Sequence, residues 1–117
     1  MNLEQALIHT AVYWGNPQPD GYAGYLYDDP VEISVRWNDE QRKYIGKTKS
    51  LGTFTEMISS AVIMVGQDLS LGGMIAKTTL NDLTSSELPG ENDAWEIKGK
   101  AETEDLRGGT IYREVLV

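Results

Sequence analysis

Apolar and polar residues alternate along the segment from Val31 to Asn38. The apolar members are Val31, Ile33, Val35 and Trp37. A period of two predicts a β-strand that buries one face and exposes the other. The turn-forming residues Asp28, Asp29 and Pro30 come directly before this segment and favour a strand that begins at Val31.

The same alternation recurs in four other parts of the chain. These segments are Ala6 to Trp14, Glu56 to Val65, Ala94 to Ala101 and Thr110 to Val117. A shorter strand is predicted from Met74 to Leu80, after the turn at Gly72 and Gly73. No helix of ordinary length is indicated. The chain is therefore predicted to be all-β, a small antiparallel β-barrel or barrel-like sandwich with long loops, because closure hides strand edges.

The length and composition predict one domain over residues 1–117. At 117 residues with 40% hydrophobic content, a single core is expected. We expect this core to bury six residues together, namely Trp37, Trp95, Val35, Ile33, Val62 and Ile97. The chain has no cysteine, which excludes disulfides and thiolate metal sites. It has neither a secretory leader pattern nor an apolar run of about 18 residues, so no membrane association is expected.

Charge is distributed unevenly along the chain. The net charge is -8, yet all 18 acidic residues lie outside the stretch from Gln41 to Thr55. That stretch contains the candidate partner-binding residues Arg42, Lys43, Tyr44, Ile45, Lys47 and Lys49. Two interpretations remain open: a solvated hairpin loop whose lysines only keep it soluble, or an arm that contacts an acidic partner or DNA. Because the segment from Asn38 to Glu56 lacks strong alternation, we expect a mobile loop that trypsin cleaves first.

A second long excursion runs from Gly15 to Pro30 and is rich in proline and glycine. Within it Tyr22, Tyr25 and Tyr27 are crowded among small residues. These tyrosines are consistent with a short hairpin, with an aromatic surface for a second subunit, or with rings that cap the core.

Candidate catalytic chemistry is sparse. His9 is the only histidine and lies in a predicted strand, where a structural role is expected. Asp28, Asp29 and Glu32 are close in sequence but lack the spacing of a calcium-binding loop, and turn formation accounts for the aspartates. We therefore expect no enzyme activity, no cofactor and no metal site.

The order of the segments carries a family resemblance. The relevant runs are residues 9–14 (HTAVYW), 19–24 (PDGYAG), 30–37 (PVEISVRW), 60–65 (SAVIMV), 71–75 (LGGMI) and 106–116, which begins LRGG. Together they resemble the small head-closure or head-tail joining proteins of tailed bacteriophages, also called stoppers or connector proteins. The resemblance covers most of the chain and rests on the order of weak signals.

This resemblance implies a structural role in the virion. Such a subunit is made in the bacterial host cytoplasm and forms a homo-oligomeric ring in the phage neck, with the portal or adaptor protein above and tail proteins below. The ring closes the head and helps to retain packaged DNA. An acidic lumen would let the DNA slide through the ring without sticking to it. By position, Asn38 to Glu56 corresponds to a loop that projects into the channel, in non-specific contact with DNA, and Gly15 to Pro30 corresponds to an inter-subunit contact.

An alternative function belongs to a different class. In this alternative, the chain is a small OB-like barrel that binds single-stranded nucleic acid or a small ligand, with Tyr44 and the nearby cations as its stacking platform.

For the neck protein, the net charge opposes self-association. We therefore expect a monomer or a weakly associating subunit that forms its ring on a preassembled neck.

Overall fold

The computed structural model describes residues 7–22, 24–47, 53–84, 87–104 and 111–117, and strands are the main regular structure of this part of the chain. The strands are β1 (His9–Trp14), β2 (Gln18–Pro19), β3 (Tyr25–Leu26), β4 (Val31–Asn38), β5 (Lys43–Lys47), β6 (Phe54–Ile58), β7 (Val62–Val65), β8 (Met74–Ala76), β9 (Trp95–Glu96), β10 (Gly99–Glu104) and β11 (Ile111–Leu116). Two single turns of 3₁₀ helix span Leu80–Asp82 and Pro89–Glu91. None of the helices in the described ranges is long and apolar enough to cross a membrane.

Seven strands form one curled antiparallel sheet in the order β10-β11-β7-β4-β1-β8-β9. The two ends of this order, β9 and β10, belong to one chain segment and are separated only by Ile97 and Lys98. The Ile97 amide donates to the Gly73 carbonyl at 2.8 Å, and the Lys98 amide donates to the Leu116 carbonyl at 2.9 Å. This segment pairs with both sides of the sheet, which curls into a half-barrel and confirms the predicted all-β class.

The main core fills the concave side of the curled sheet. Its buried members are Ala11, Tyr13, Val35, Trp37, Ala61, Ile63, Val65, Leu69, Ile75, Ile97, Val115 and Val117. Of the six predicted core residues, Val35, Trp37 and Ile97 lie in this cluster, Ile33 packs against it, and Val62 is also fully buried.

The prediction for Trp95 is wrong, because its side chain is 47% exposed while Ile97 is fully buried. Simple alternation would place both residues on one face. Strand β9 ends after two residues, and the chain changes partner from β8 to β11 at Ile97 and Lys98. The change of partner interrupts the alternation, so only the second apolar residue enters the core.

A smaller apolar cluster covers the outer face of β1. Val12, Trp14 and Ala76 are buried there, and four half-buried residues pack around them: Tyr27, Met74, Leu83 and Ala94. The Trp14 Nε1 donates to the Glu87 carbonyl at 2.9 Å. The excursions at residues 15–30 and 77–94 therefore pack onto the outside of the sheet, and β1 is buried on both faces.

Candidate interaction surfaces

The segment from Asn38 to Glu56 contains the paired strands β5 and β6, so the prediction of a long loop without regular structure is wrong. Its mobility and its early cleavage by trypsin stay predictions. Strands β5 and β6 pair antiparallel, with Lys43 opposite Ile58 and Lys47 opposite Phe54. The long strand predicted from Glu56 to Val65 is also wrong, because it is divided into β6 and β7 by a break at residues 59–61. Lys49 lies outside the described residues, so its predicted role is not tested.

Ser59 lies in this break and fixes the base of the hairpin. It is the one polar residue buried in the described part of the chain, at 1% exposure. Its hydroxyl donates to the Glu40 carbonyl at 2.9 Å and accepts from the Arg42 amide at 3.0 Å, and its own amide donates to the Arg42 carbonyl at 2.9 Å. A buried hydroxyl that satisfies two backbone groups orients the hairpin. No pattern in the sequence distinguishes this serine from its neighbours.

Arg42 is held by acidic side chains at the same base. Its Nη1 lies 3.2 Å from Glu114 Oε1 and its Nη2 lies 3.5 Å from Glu40 Oε1. The hydrogen bond to Glu114 is the main reason why the pKa of Arg42 is raised. Its charge is thus compensated within the chain, which leaves Lys43 and Lys47 as the cations of β5.

Tyr44 packs beneath the hairpin, against two glycines. A Cβ added to Gly99 would lie 2.6 Å from Tyr44 Cδ2, and one added to Gly46 would also meet the Tyr44 ring. Burial, followed by the negative charge of Glu96, raises the pKa of Tyr44. The ring therefore docks the hairpin on β10, assisted by the bond from the Lys47 amide to the Lys98 carbonyl at 2.8 Å. This inward position disfavours Tyr44 as a base-stacking platform.

We expect Gly46→Ala to loosen this docking and to lower the free energy of unfolding by about 1 to 3 kcal/mol. The added Cβ would lie 2.8 Å from the Lys98 carbonyl oxygen and 2.9 Å from the Met57 sulfur. Gly90→Ala is the matched control, because a Cβ there meets nothing within 4 Å. Urea unfolding followed by tryptophan fluorescence measures both variants. Equal stability of the two would contradict close packing at Gly46.

The outer face of the hairpin presents apolar side chains between lysines. Ile45, Phe54 and Ile58 are 67%, 63% and 61% exposed. The register places them on one face with Lys43, Lys47 and Glu56. Lys47 Nζ lies 5.6 Å from the centre of the Phe54 ring, in cation–π range. Several exposed apolar side chains on one face are typical of an interaction surface.

The excursion at residues 15–30 forms the short hairpin that was one of its three predicted interpretations. Strands β2 and β3 pair, with Pro19 opposite Tyr25. Asp20 organises the turn, because its Oδ1 accepts from the Tyr22 amide at 2.7 Å and from the Gly24 amide at 3.0 Å. Gly21 supplies the positive φ of 86° that the turn requires. Tyr22 is left 91% exposed at its tip.

Tyr25 and Tyr27 are half-buried and line a groove of about 550 Å³ between this hairpin and the 3₁₀ turn at Pro89–Glu91. Trp14 lines the floor, and the exposed side chains of Leu26 and Leu88 add apolar surface. Four acidic residues also line the groove: Asp28, Asp29, Glu87 and Glu91. The three predicted tyrosines therefore separate into one exposed at the tip and two in an acidic, partly apolar groove.

The residues considered as candidates for catalysis or metal binding include two that make structural hydrogen bonds, His9 and Asp28. The Nδ1 of His9 accepts from the Trp37 amide at 3.0 Å and so joins β1 to β4. Asp28 accepts from the Asn16 amide group at 3.5 Å. Across the described residues, no group of three histidine or acidic side chains is arranged to hold a metal ion.

Comparison of the chain with protein-family models, with curated proteins and with solved structures found no match.

Proposed function

We propose that this protein is a structural subunit of the neck of a tailed bacteriophage, in a ring between the portal or adaptor protein and the tail. The resemblance in the order of segments first suggested this role. The observation that carries it furthest is the hairpin β5–β6, which exposes Ile45, Phe54 and Ile58 on a face directed away from the barrel. A face of this kind is explained by assembly with other subunits.

The charge distribution supports an assembly role. The chain carries a net charge of -8, and its acidic residues all lie outside the stretch from Gln41 to Thr55. An acidic surface repels the DNA backbone, so a ring lined by it lets DNA pass without binding it tightly. The cations of β5 are then available for acidic protein neighbours. We propose that closing the head depends on such protein contacts, with DNA contact remaining non-specific.

The role can be tested by removing the protein from a phage that encodes it. In an amber mutant, heads should package DNA and then lose it, and free tails should accumulate because the docking ring is absent. Electron microscopy and nuclease-protected DNA per head measure both effects, and a plasmid copy of the gene provides the control. Full, tailed and infectious particles without the protein would exclude this function.

A further inference from the structure

Two exposed surfaces of opposite charge lie on the same molecule. The first is the outer face of the hairpin β5–β6, here called the hairpin face, which combines Ile45, Phe54 and Ile58 with Lys43, Lys47 and one acid, Glu56, and so carries a net positive charge. Lys43, Ile45, Lys47 and Phe54 lie in the stretch from Gln41 to Thr55, which has four basic and no acidic residues. A partner for this surface needs apolar side chains bordered by carboxylates.

The second surface is the acidic groove between the β2–β3 hairpin and the turn at Pro89–Glu91. Leu26 and Leu88 are 63% and 57% exposed there. Four acidic residues line the same groove, namely Asp28, Asp29, Glu87 and Glu91. The groove therefore offers both the apolar surface and the negative charge that a partner of the hairpin face needs.

We propose that the hairpin face of one copy binds the acidic groove of the next copy. Both surfaces are exposed within one chain, so they do not cover each other in the monomer. Pairing two hairpin faces would bring lysines together, and pairing two grooves would bring carboxylates together. Since like charges in contact cost binding energy, the two unlike surfaces form the favourable pair. Such head-to-tail contacts generate a ring when the rotation closes.

The formation of a ring by this pairing rests on the proposed function. The contact between two copies can be tested on the purified chain alone. Its strength is limited by the net charge of -8 on every copy, which opposes any association at low ionic strength. The local attraction must exceed that general repulsion. We therefore expect weak association that becomes measurable at submillimolar protein concentration.

A zero-length carbodiimide crosslinker tests the contact directly, because it joins a lysine to a carboxylate that touches it. Equal amounts of unlabelled and ¹⁵N-labelled protein are mixed before crosslinking and are then digested for mass spectrometry. We expect mixed-isotope crosslinks that join Lys43 or Lys47 to Asp28, Asp29, Glu87 or Glu91. Crosslinks only within one chain, only between other residues, or absent altogether would overturn the pairing.

Reciprocal charge reversal provides the second test, measured by sedimentation equilibrium without a crosslinker. Lys43→Glu with Lys47→Glu reverses the hairpin face, and Asp29→Lys with Glu87→Lys reverses the groove. Each double variant alone should associate at least about tenfold more weakly than the parent, because like charges then meet. A mixture of the two should recover association, since each reversed surface now faces its complement. Normal association of either variant, or no recovery in the mixture, would contradict the proposal.

The same variants separate this inference from the proposed function. If the pairing is demonstrated but the amber mutant makes normal particles, the neck role fails and the contact stands. If the amber mutant makes heads without attached tails while the hairpin variant associates as the parent does, the neck role stands and the pairing between copies fails. Thermal unfolding confirms that each variant is folded.

Discussion

We expect Trp37→Ala to lower the free energy of unfolding by about 3 to 5 kcal/mol, a large share of the stability of a small domain. Trp37 is only 8% exposed and belongs to the main core, beside Val35 on the inner face of β4. Its Nε1 also donates to Asp39 Oδ1 at 3.2 Å. Truncation removes the ring and leaves a cavity that the curled sheet cannot fill without moving its strands.

Trp95→Ala is the matched control, because it makes the same substitution at a tryptophan that is 47% exposed. Its effect should remain below about 1 kcal/mol, as is usual for exposed positions. Urea unfolding monitored by far-ultraviolet circular dichroism compares the two without relying on the substituted fluorophores. Similar losses in both variants, or a stable Trp37→Ala protein, would show that the inner face of β4 is assigned incorrectly.

The positions of strands could be predicted from the sequence where one face of the strand is buried and the other is exposed to solvent. Strand β4 meets this condition in its second half, where the buried positions Val35 and Trp37 were predicted correctly, whereas Val31, predicted on the same face, is 46% exposed. Strand β1 was predicted as a strand, although it is buried on both faces from Ala11 onward. Its second buried face results from the long excursions, whose position depends on contacts between distant parts of the chain. Alternation within a strand does not indicate whether a distant segment packs on its second face.

The hairpin β5–β6 could not be predicted from alternation, for a physical reason. Its inward positions include Gly46, and its outward positions include Ile45 and Phe54, so the usual relation between polarity and exposure is reversed. A glycine facing inward makes sense only once the Tyr44 ring is known to pack over it. The basic composition of the stretch was visible in the sequence, whereas its exposed apolar face was not.

The acidic groove combines parts of the chain that are far apart in sequence. Tyr25 and Tyr27 were identified as an aromatic group, but Leu88 and Glu87 lie about sixty residues later and were predicted only as part of a connecting segment. The bond from Trp14 Nε1 to the Glu87 carbonyl holds these parts together. A contact between such distant segments leaves no periodic signal in the sequence. The groove therefore emerged only from the three-dimensional structure.

We expect Trp14→Ala to dismantle this groove and to cost about 3 to 5 kcal/mol of unfolding free energy, again by removing a buried ring. Trp14 is 2% exposed and is the largest member of the cluster outside the sheet, where it meets Tyr27 and Met74. Because that cluster fastens the excursions to the sheet, amide hydrogen exchange should accelerate first in residues 15–30 and 77–94. In Trp37→Ala, by contrast, protection should fall across the whole sheet.

Trp14→Phe separates the packing of the ring from its hydrogen bond. Phenylalanine keeps most of the apolar contact but cannot donate to the Glu87 carbonyl, which lies 2.9 Å from Nε1 in the parent. Loss of one such bond costs about 1 kcal/mol, so this variant should retain most of the protection in the two excursions. If Trp14→Ala left exchange in residues 77–94 unchanged, that excursion would be held by other contacts, and Trp14 would not be the anchor of the groove.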